Sequence, residues 1–120
     1  MPELDRPEHR LLTNEECALL EWLVANGGPE TKQFASQIPE IMVVGSCTRG
    51  CPSIDFAIGD RDQRKTGPSH LLADLEGRTP EGIQVGVILD ARDGEISELE
   101  VYAIDNVKES FPLPRIESLK

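Results

Sequence analysis

Residues 83–104 read IQVGVILDARDGEISELEVYAI, and this stretch decides the fold of the chain. In both halves, apolar residues alternate with polar or small ones, which is typical of a β-strand that buries one face. Asp93-Gly94 lies between the halves and is a strong turn signal, because glycine tolerates the positive φ of a tight turn. The stretch therefore predicts an antiparallel β-hairpin with a buried face and a wetter face.

A three-residue loop, Arg92-Asp93-Gly94, sets the register of this hairpin if Gly94 takes the left-handed conformation. The pairs expected on the buried face are Ala91 with Glu95, Val87 with Leu99, Val85 with Val101 and Ile83 with Ala103. The pairs expected on the opposite face are Ile88 with Glu98, Gly86 with Glu100 and Gln84 with Tyr102. The register matters because a slip of one residue turns every side chain of one strand to the other face.

A second hairpin is predicted by the runs IMVVGSC and CPSIDFAI, which flank Thr48-Arg49-Gly50. We again expect a three-residue loop with the glycine in the left-handed conformation. This register places Cys47 opposite Cys51. The other expected pairs are Val44 with Ile54, Met42 with Phe56, Val43 with Asp55 and Ile41 with Ala57.

Two helices are expected before these strands. Thr13 and Glu16 have the spacing of a capping box, so the first helix should begin at this point. Apolar residues then recur at helical spacing: Leu19, Leu20, Leu23 and Val24. Residues 26–29, Asn-Gly-Gly-Pro, end this helix, and a shorter helix is expected over residues 30–38, before Pro39.

The remaining segments complete one expected domain, residues 1–120. Residues 70–76 fit a strand better than a helix, because they lie between two strand pairs. Residues 1–11 are expected to be a loose N-terminal arm, and residues 106–120 an extended, proline-containing tail. The expected fold class is α+β: two N-terminal helices packed on one face of an antiparallel meander sheet of about five strands.

The acidic composition narrows the classes of partner. The chain carries 12 basic and 22 acidic residues, a formal net charge of −10. This argues against nucleic acid and against an anionic membrane surface, because both need a basic footprint. No apolar run approaches the roughly 18 residues of a membrane span, and the first residues lack the apolar segment of a signal peptide. We therefore expect a cytoplasmic protein without a cofactor, whose three cysteines do not make a secreted disulfide framework.

Two motifs resemble those of a known family. CTRGCPS, residues 47–53, is similar to a C-x-C-G-C-P-S loop, and DGEISELEVY, residues 93–102, is similar to a D-G-x-L-S-x-L-E-V-Y hairpin. On these motifs the chain resembles a family of small, mostly hypothetical bacterial proteins over residues 14–119. The resemblance implies a single-domain fold and no established activity. The middle cysteine of the family loop is replaced by Arg49, which removes the most ligand-like feature of that loop.

The sharpest chemical feature is the pair Cys47 and Cys51, which the predicted hairpin brings together. Two juxtaposed thiols can form a reversible disulfide or supply two thiolates to zinc. Their spacing differs from the C-x-x-C of redox pairs. A structural zinc site needs four ligands, whereas only Cys17, His9 and His70 remain as soft ligands. Buried structural thiols are the third interpretation, and we predict no metal site.

Ile88, Glu98, Glu100 and Tyr102 should share the wetter face of the main hairpin. Paired carboxylates can exchange protons or bind a hard cation, but alternating glutamates are also typical of a solvated strand face. This mixed composition suits a contact with a protein partner or a second copy better than a catalytic pocket. No catalytic motif is present, so the first functional hypothesis is a non-enzymatic interaction or binding module. The alternative is a thiol-based redox or metal-binding role of the two cysteines.

Overall fold

The computed structural model describes residues 6–59, 67–105 and 110–120. Its strands are β1 (Arg6–Leu11), β2 (Ile41–Ser46), β3 (Ile54–Ile58), β4 (Ser69–Arg78), β5 (Gln84–Arg92) and β6 (Glu95–Ala103). Its helices are α1 (Asn14–Ala25) and α2 (Pro29–Lys32), with 3-10 helices at Gln33–Glu40 and Ile116–Ser118. The strands form a six-stranded sheet in the order β1-β2-β3-β6-β5-β4, and all neighbours are antiparallel.

The predicted α+β class with an antiparallel sheet is confirmed, but two details of the sheet are corrected. It has six strands and not five, and its order is not a meander, because β3 pairs with β6 and not with β4. The additional strand is β1, formed by part of the segment expected to be a loose N-terminal arm. β1 pairs with β2, so a backbone ladder holds this part of the arm. Residues 1–5 lie outside the described residues.

The β5–β6 hairpin is confirmed, but the expected register and loop are wrong. Asp93 and Gly94 alone form the loop, and both have positive φ, 51° and 79°, as a type I′ turn requires. One further residue, Ser97, bulges from β6 beyond the turn. The pairs are Arg92 with Glu95, Ala91 with Ile96, Asp90 with Glu98, Leu89 with Leu99, Ile88 with Glu100, Val87 with Val101, Gly86 with Tyr102 and Val85 with Ala103. Because Val87 faces Val101 and not Leu99, the shift is an even one, and the residues of β6 from Glu98 onward keep the faces that their alternation predicts. Before the bulge the faces are reversed, so Ile96 and not Glu95 lies opposite Ala91 on the core face.

The expected three-residue loop between β2 and β3 is also wrong. Both strands stop short of it, and residues 47–53 form the connection. Cys47 and Cys51 therefore lie in a loop and are not opposite each other in the ladder. We call residues 47–53 the thiol loop.

The register of β2 with β3 differs from the expected one as well. Val43 lies opposite Phe56 and not opposite Asp55, so Val43 and Phe56 share the core face. The observed pairs are Ile41 with Ile58, Met42 with Ala57, Val43 with Phe56, Gly45 with Asp55 and Ser46 with Ile54. Both strands are almost entirely apolar, so the alternation that assigns faces in β5 and β6 is too weak here to choose a register.

The first helix begins as predicted. The Thr13 hydroxyl accepts a hydrogen bond from the Glu16 backbone N–H (3.1 Å), and the Glu16 carboxylate accepts one from the Thr13 N–H (2.9 Å), which is a complete capping box. The second helix differs from the expectation for residues 30–38. Only Pro29–Lys32 is α-helical, and the 3-10 helix that follows continues past Pro39. No helix among the described residues is long and apolar enough to cross a membrane.

The core is one cluster of buried side chains from the helical segments, four of the strands (β2, β3, β5 and β6) and the C-terminal segment. Along β5 and β6 its members, apart from Ile96, are the residues that alternation assigns to the buried face: Val85, Val87, Leu89, Ala91, Leu99 and Val101. Complete burial of one such aliphatic side chain stabilises the fold by about 1.5–3 kcal/mol. The β5–β6 hairpin is therefore a large part of the hydrophobic driving force.

The strand predicted over residues 70–76 is confirmed as β4, which forms one edge of the sheet. Residues 110–120 cover part of this edge. Glu76 and Lys120 exchange two backbone hydrogen bonds, of 3.1 and 3.0 Å. A sheet edge with unpaired backbone groups can pair with another chain, so this cover shortens the exposed edge. The remainder of the expected tail, residues 106–109, lies outside the described residues.

Candidate functional site: the thiol loop

The thiol loop carries the two cysteines singled out from the sequence. Cys47 is buried, with 4% of its surface exposed, and Cys51 is half-buried. Both are free thiols. The Cys51 thiol donates a hydrogen bond to the Cys47 sulfur, so the structure brings the two sulfurs together through a loop and not through a cross-strand pair.

The Cys47 sulfur is surrounded by hydrogen-bond donors. Burial by itself raises the pKa of this thiol, because it penalises the charged thiolate. Hydrogen bonds from the Cys51 thiol and from the backbone N–H groups of Arg49, Cys51 and Gly50 favour the thiolate. These bonds outweigh burial, and the pKa of Cys47 lies below its ordinary value. Successive backbone N–H groups directed at one atom are a common way to bind an anion, so Cys47 is the member of the pair that is prepared to be a thiolate.

The environment of Cys51 shifts the pKa of its thiol in the opposite direction, upward. Burial raises the pKa of the Cys51 thiol, and the hydrogen bond that it donates to Cys47 raises it further. Its sulfur also lies 3.4 Å from the Ser53 hydroxyl, and the hydrogen bonds with the side chain and backbone of Ser53 oppose the rise in this pKa only in part. Two neighbouring groups whose pKa values are moved apart can take different chemical roles. Here Cys47 loses its proton more readily than an ordinary thiol, and the adjacent Cys51 holds its proton more tightly.

Ser53 anchors the thiol loop to the core of the sheet. It is completely buried, and its Oγ donates to the Val101 carbonyl (3.1 Å) and accepts from the Val101 N–H (2.8 Å). β3 begins only at the next residue, so the hydroxyl satisfies backbone groups of β6 that a longer β3 would pair. Because the Ser53 hydroxyl also contacts the Cys51 sulfur, the loop conformation is coupled directly to β6.

A pocket of about 280 Å³ lies beside the thiol loop. Cys47 and Cys51 line it from the loop, and Arg10 of β1 and Glu16 of α1 line it as well. The Arg10 guanidinium binds both oxygens of the Glu16 carboxylate, at 2.9 and 3.1 Å. A two-point bond of this kind fixes the orientation of both groups. The two thiols therefore share the pocket with a rigid, polar ion pair.

The ion pair in the pocket is maintained at neutral pH. Burial raises the pKa of the Glu16 carboxyl, but the hydrogen bonds from Arg10 and from the Thr13 backbone outweigh it, so this pKa lies below its ordinary value. Beside it, the Ser46 hydroxyl donates to the Glu8 carboxylate (2.9 Å), which links β2 to β1. The strand formed by part of the expected loose arm therefore completes the pocket.

The four residues predicted to form an interaction surface project from the same face of β5 and β6. Tyr102 is 41% exposed, and its ring packs on Gly86, its cross-strand partner. Ile88, Glu98 and Glu100 are half-buried. We call Ile88, Glu98, Glu100 and Tyr102 the hairpin surface.

Glu98 lies in a row of carboxylates that runs across three strands. Its cross-strand partners are Asp55 on β3 and Asp90 on β5. Burial, followed by the charges of Asp55, Glu100 and Asp90, raises the pKa of Glu98 to about 7, and Arg92 opposes this only in part. Like charges in directly opposite positions destabilise a sheet. The hairpin surface is therefore sensitive to pH near neutrality.

Other candidate ligands do not assemble around the thiols. Within the described ranges, no group of three or more His, Cys, Asp or Glu side chains is arranged to hold a metal ion. The third cysteine, Cys17, lies on α1, and burial, with a smaller effect of Glu21, raises its pKa. Cys17 therefore serves as an internal reference for the reactivity of the two loop thiols.

Arg10, Glu16 and Ser53 belong to the site, but sequence reasoning does not identify them as functional. Glu16 carries a signal, the capping box, which concerns only the helix start. Ser53 carries none, since its partner Val101 is 48 residues away in the chain. Arg10 carries none either, because the pattern of the first residues indicates a loose arm.

In comparisons with family models, with curated proteins and with solved structures, nothing matches the chain. The functional interpretation therefore depends on the geometry of the site itself.

Proposed function

We propose that this chain is a thiol-based redox protein in which Cys47 and Cys51 form a disulfide reversibly. The observation that carries the proposal is the hydrogen bond from the Cys51 thiol to the Cys47 sulfur, on a loop whose backbone N–H groups point at the same sulfur. Disulfide formation removes a proton and an electron from each thiol, and an oxidant accepts them. A dithiol reductant returns the pair to its starting state.

Metal binding by the same pair is the weaker form of this proposal. Zinc in structural sites takes four ligands, and the thiol loop offers two sulfurs. We place the protein in the cytoplasm, because thiols stay reduced there until an oxidant reaches them, and the three cysteines are free. We also propose that the chain is related to the bacterial family with the C-x-C-G-C-P-S loop, which it resembles.

Thiol counting tests the redox proposal. After treatment with diamide, the chain should lose the two loop thiols and keep Cys17, and dithiothreitol should restore both. Peptide mapping by mass spectrometry should show a bond between Cys47 and Cys51. The Cys51→Ser variant is the matched control, because it should form no intramolecular disulfide. Retention of all three thiols in diamide, or a bond that involves Cys17, would overturn the proposal.

A second proposal concerns the hairpin surface, and the exposed ring of Tyr102 favours it. Val87 and Leu99 share one buried cluster with Leu20 of α1, so we infer that the helices cover that face of the sheet. The opposite face then remains for a second copy of the chain, through Tyr102 and Ile88. Tyrosine is enriched at protein interfaces, because it combines apolar area with a polar tip.

Sedimentation velocity at several protein concentrations tests this second proposal. Association should be stronger below pH 7 than above it, because protonation of Glu98 removes like charge from the meeting surfaces. Tyr102→Ala should weaken association, whereas Ser36→Ala, at an exposed position of the 3-10 helix Gln33–Glu40, should leave it unchanged. A strict monomer at every concentration and pH would end the proposal.

A further inference from the structure

We propose that the oxidant of the thiol loop is a small hydroperoxide, which Cys47 attacks and whose product Cys51 resolves. This inference rests on the proposed redox function. It adds the chemical class of the substrate and the order in which the two cysteines act.

The limited access to the Cys47 sulfur determines which oxidants are small enough to reach it. Cys47 exposes only 4% of its surface, and the pocket that it lines has a volume of about 280 Å³. Thiol–disulfide exchange depends on access, because the attacked sulfur and its substituents must reach the thiolate. Oxidised glutathione carries a tripeptide on each sulfur and a protein disulfide carries a whole chain, so both are too large for this pocket. Hydrogen peroxide is close in size to water, which occupies roughly 30 Å³ in the liquid.

The lining of the pocket suits a small polar molecule. Ser46 lies on it beside the two thiols, and the Arg10–Glu16 pair adds charged groups held in fixed positions. A peroxide both donates and accepts hydrogen bonds, so such a lining can replace the water that it loses on entry. An apolar oxidant would gain less from these groups.

The two pKa shifts assign the order of the cysteines. The thiolate is the nucleophilic form of cysteine, and the donors around Cys47 favour that form. Cys51, whose pKa is raised, keeps its proton. In the first step the Cys47 thiolate attacks one peroxide oxygen, an S–O bond forms and the O–O bond breaks. The leaving oxygen takes the proton of the Cys51 thiol and departs as water.

The second step closes the disulfide. Cys51, now a thiolate, attacks the sulfur of the Cys47 sulfenic acid, so that an S–S bond forms and the S–O bond breaks. The hydroxide that leaves takes a proton from solvent. In sum, the two thiols lose two electrons and two protons, and one hydrogen peroxide becomes two waters. A dithiol then reduces the disulfide to the two thiols and is itself oxidised.

A comparison of rates tests the class of substrate. In a Cys17→Ser background, loss of the loop thiols is followed at neutral pH with equal concentrations of hydrogen peroxide and of oxidised glutathione. We expect the peroxide reaction to be faster by about tenfold or more, because only the peroxide fits the pocket. An equal or faster reaction with oxidised glutathione would overturn the proposal.

Trapping with dimedone tests the order of the cysteines. In Cys51→Ser, peroxide should leave a sulfenic acid on Cys47, which peptide mass analysis detects as a dimedone adduct. With Cys51 present, this adduct should be largely lost, because the disulfide forms first. In Cys47→Ser, the fast reaction with peroxide should disappear. An adduct on Cys51, or none on Cys47, would contradict the assignment.

The same measurements distinguish failure of this inference from failure of the proposed function. If diamide closes the disulfide between Cys47 and Cys51 but peroxide does not, the redox function stands and the hydroperoxide is wrong. If neither reagent closes it, both are wrong. Circular dichroism establishes that each variant is folded, and the rate comparison needs no substitution in the thiol loop.

Discussion

The two predicted hairpins of this sheet start from similar sequences and reach different structures. Both place a glycine between two apolar runs, and the same three-residue loop was expected in each. β5 and β6 close in a two-residue turn, and their backbone groups pair along almost the whole length of both strands. β2 and β3 pair over a shorter length and leave residues 47–53 outside the ladder.

The difference arises because the thiol loop forms its hydrogen bonds with partners outside the β2–β3 ladder. N–H groups of residues 49–51 donate to the Cys47 sulfur, Pro52 has no N–H to donate, and the Ser53 hydroxyl binds β6. The N–H groups of residues 49–51 therefore form no ladder hydrogen bonds and polarise the Cys47 sulfur instead. One hairpin therefore mainly stabilises the fold, and the other holds two thiols in a specific hydrogen-bonding environment. Four substitutions test this division.

Truncation at the centre of the β5–β6 hairpin should have the largest effect. Leu99 is completely buried and pairs with Leu89. Leu99→Ala should lower the free energy of unfolding by about 2–5 kcal/mol, because it removes buried aliphatic groups and leaves a cavity. Urea unfolding followed by circular dichroism measures this loss. The control is Leu71→Ala, since Leu71 is 61% exposed; a loss of equal size there would show that β5–β6 has no special part in stability.

Removal of the Ser53 hydroxyl should break the link between the two hairpins. Ser53→Ala leaves a buried N–H and carbonyl of Val101 without their partner, which should cost about 1–3 kcal/mol of unfolding free energy. The Cys51 sulfur also loses its contact with this hydroxyl, so the reaction of the loop thiols with peroxide should change as well. Ser36→Ala, at an exposed position of the 3-10 helix, is the control. Unchanged stability and unchanged thiol reactivity would mean that the thiol loop does not depend on β6.

The charged face of β6 should make stability depend on pH. The pKa of Glu98 is about 7 in the folded chain and near 4.5 in the unfolded chain. The folded state therefore binds more protons between these values, and stability falls as the pH rises through this window. Glu98→Gln should remove that fall and be more stable than the parent by about 1–2 kcal/mol above neutral pH, after allowance for solvent screening of a half-buried group.

Unfolding curves at acidic and alkaline pH measure this difference. Glu81→Gln, at an exposed position before β5, is the control and should leave the pH dependence unchanged. A Glu98→Gln variant with the pH profile of the parent would contradict the raised pKa.

The smallest effect is expected at the turn that closes β5–β6. Gly94 has φ of 79° and Gly28 has φ of −71°, and neither has an atom within 4 Å of the position that a Cβ would occupy. Gly94→Ala should cost about 1 kcal/mol, because a side chain is strained in the left-handed conformation. Gly28→Ala should cost less, about 0.5 kcal/mol, because at this helix N-cap only the preference for glycine over alanine is lost. Thermal unfolding compares the pair, and equal effects would argue against the type I′ turn.

The sequence was informative wherever a structure depends on residues close together in the chain. The capping box of Thr13 and Glu16 predicted the start of α1, and Asp93-Gly94 predicted the main hairpin. The register could not be predicted, because a three-residue loop and a two-residue loop with a bulge at Ser97 place the side chains of β6 from Glu98 onward on the same faces. The two arrangements differ only next to the turn, where Ile96 and not Glu95 faces the core. In β2 and β3 even the faces were uncertain, since apolar residues occupy almost every position.

The candidate site divides in the same way. The short spacing of Cys47 and Cys51 was enough to predict that the thiols lie near each other. Their opposite pKa shifts were not predictable, because they depend on the direction of backbone N–H groups in an irregular loop. Arg10 and Ser53 could not be assigned, since their roles depend on where β1 and β6 lie.

By itself, the sequence determined the α+β class, the start of α1 and, except for Ile96, the residues of β5 and β6 that face the core. These follow from periodicity and from contacts between residues a few positions apart, which local patterns encode. Only the tertiary structure decided that β3 lies beside β6, that β1 completes the pocket and that Ser53 binds Val101. Such pairings join distant segments, and their free energies depend on how the whole sheet packs.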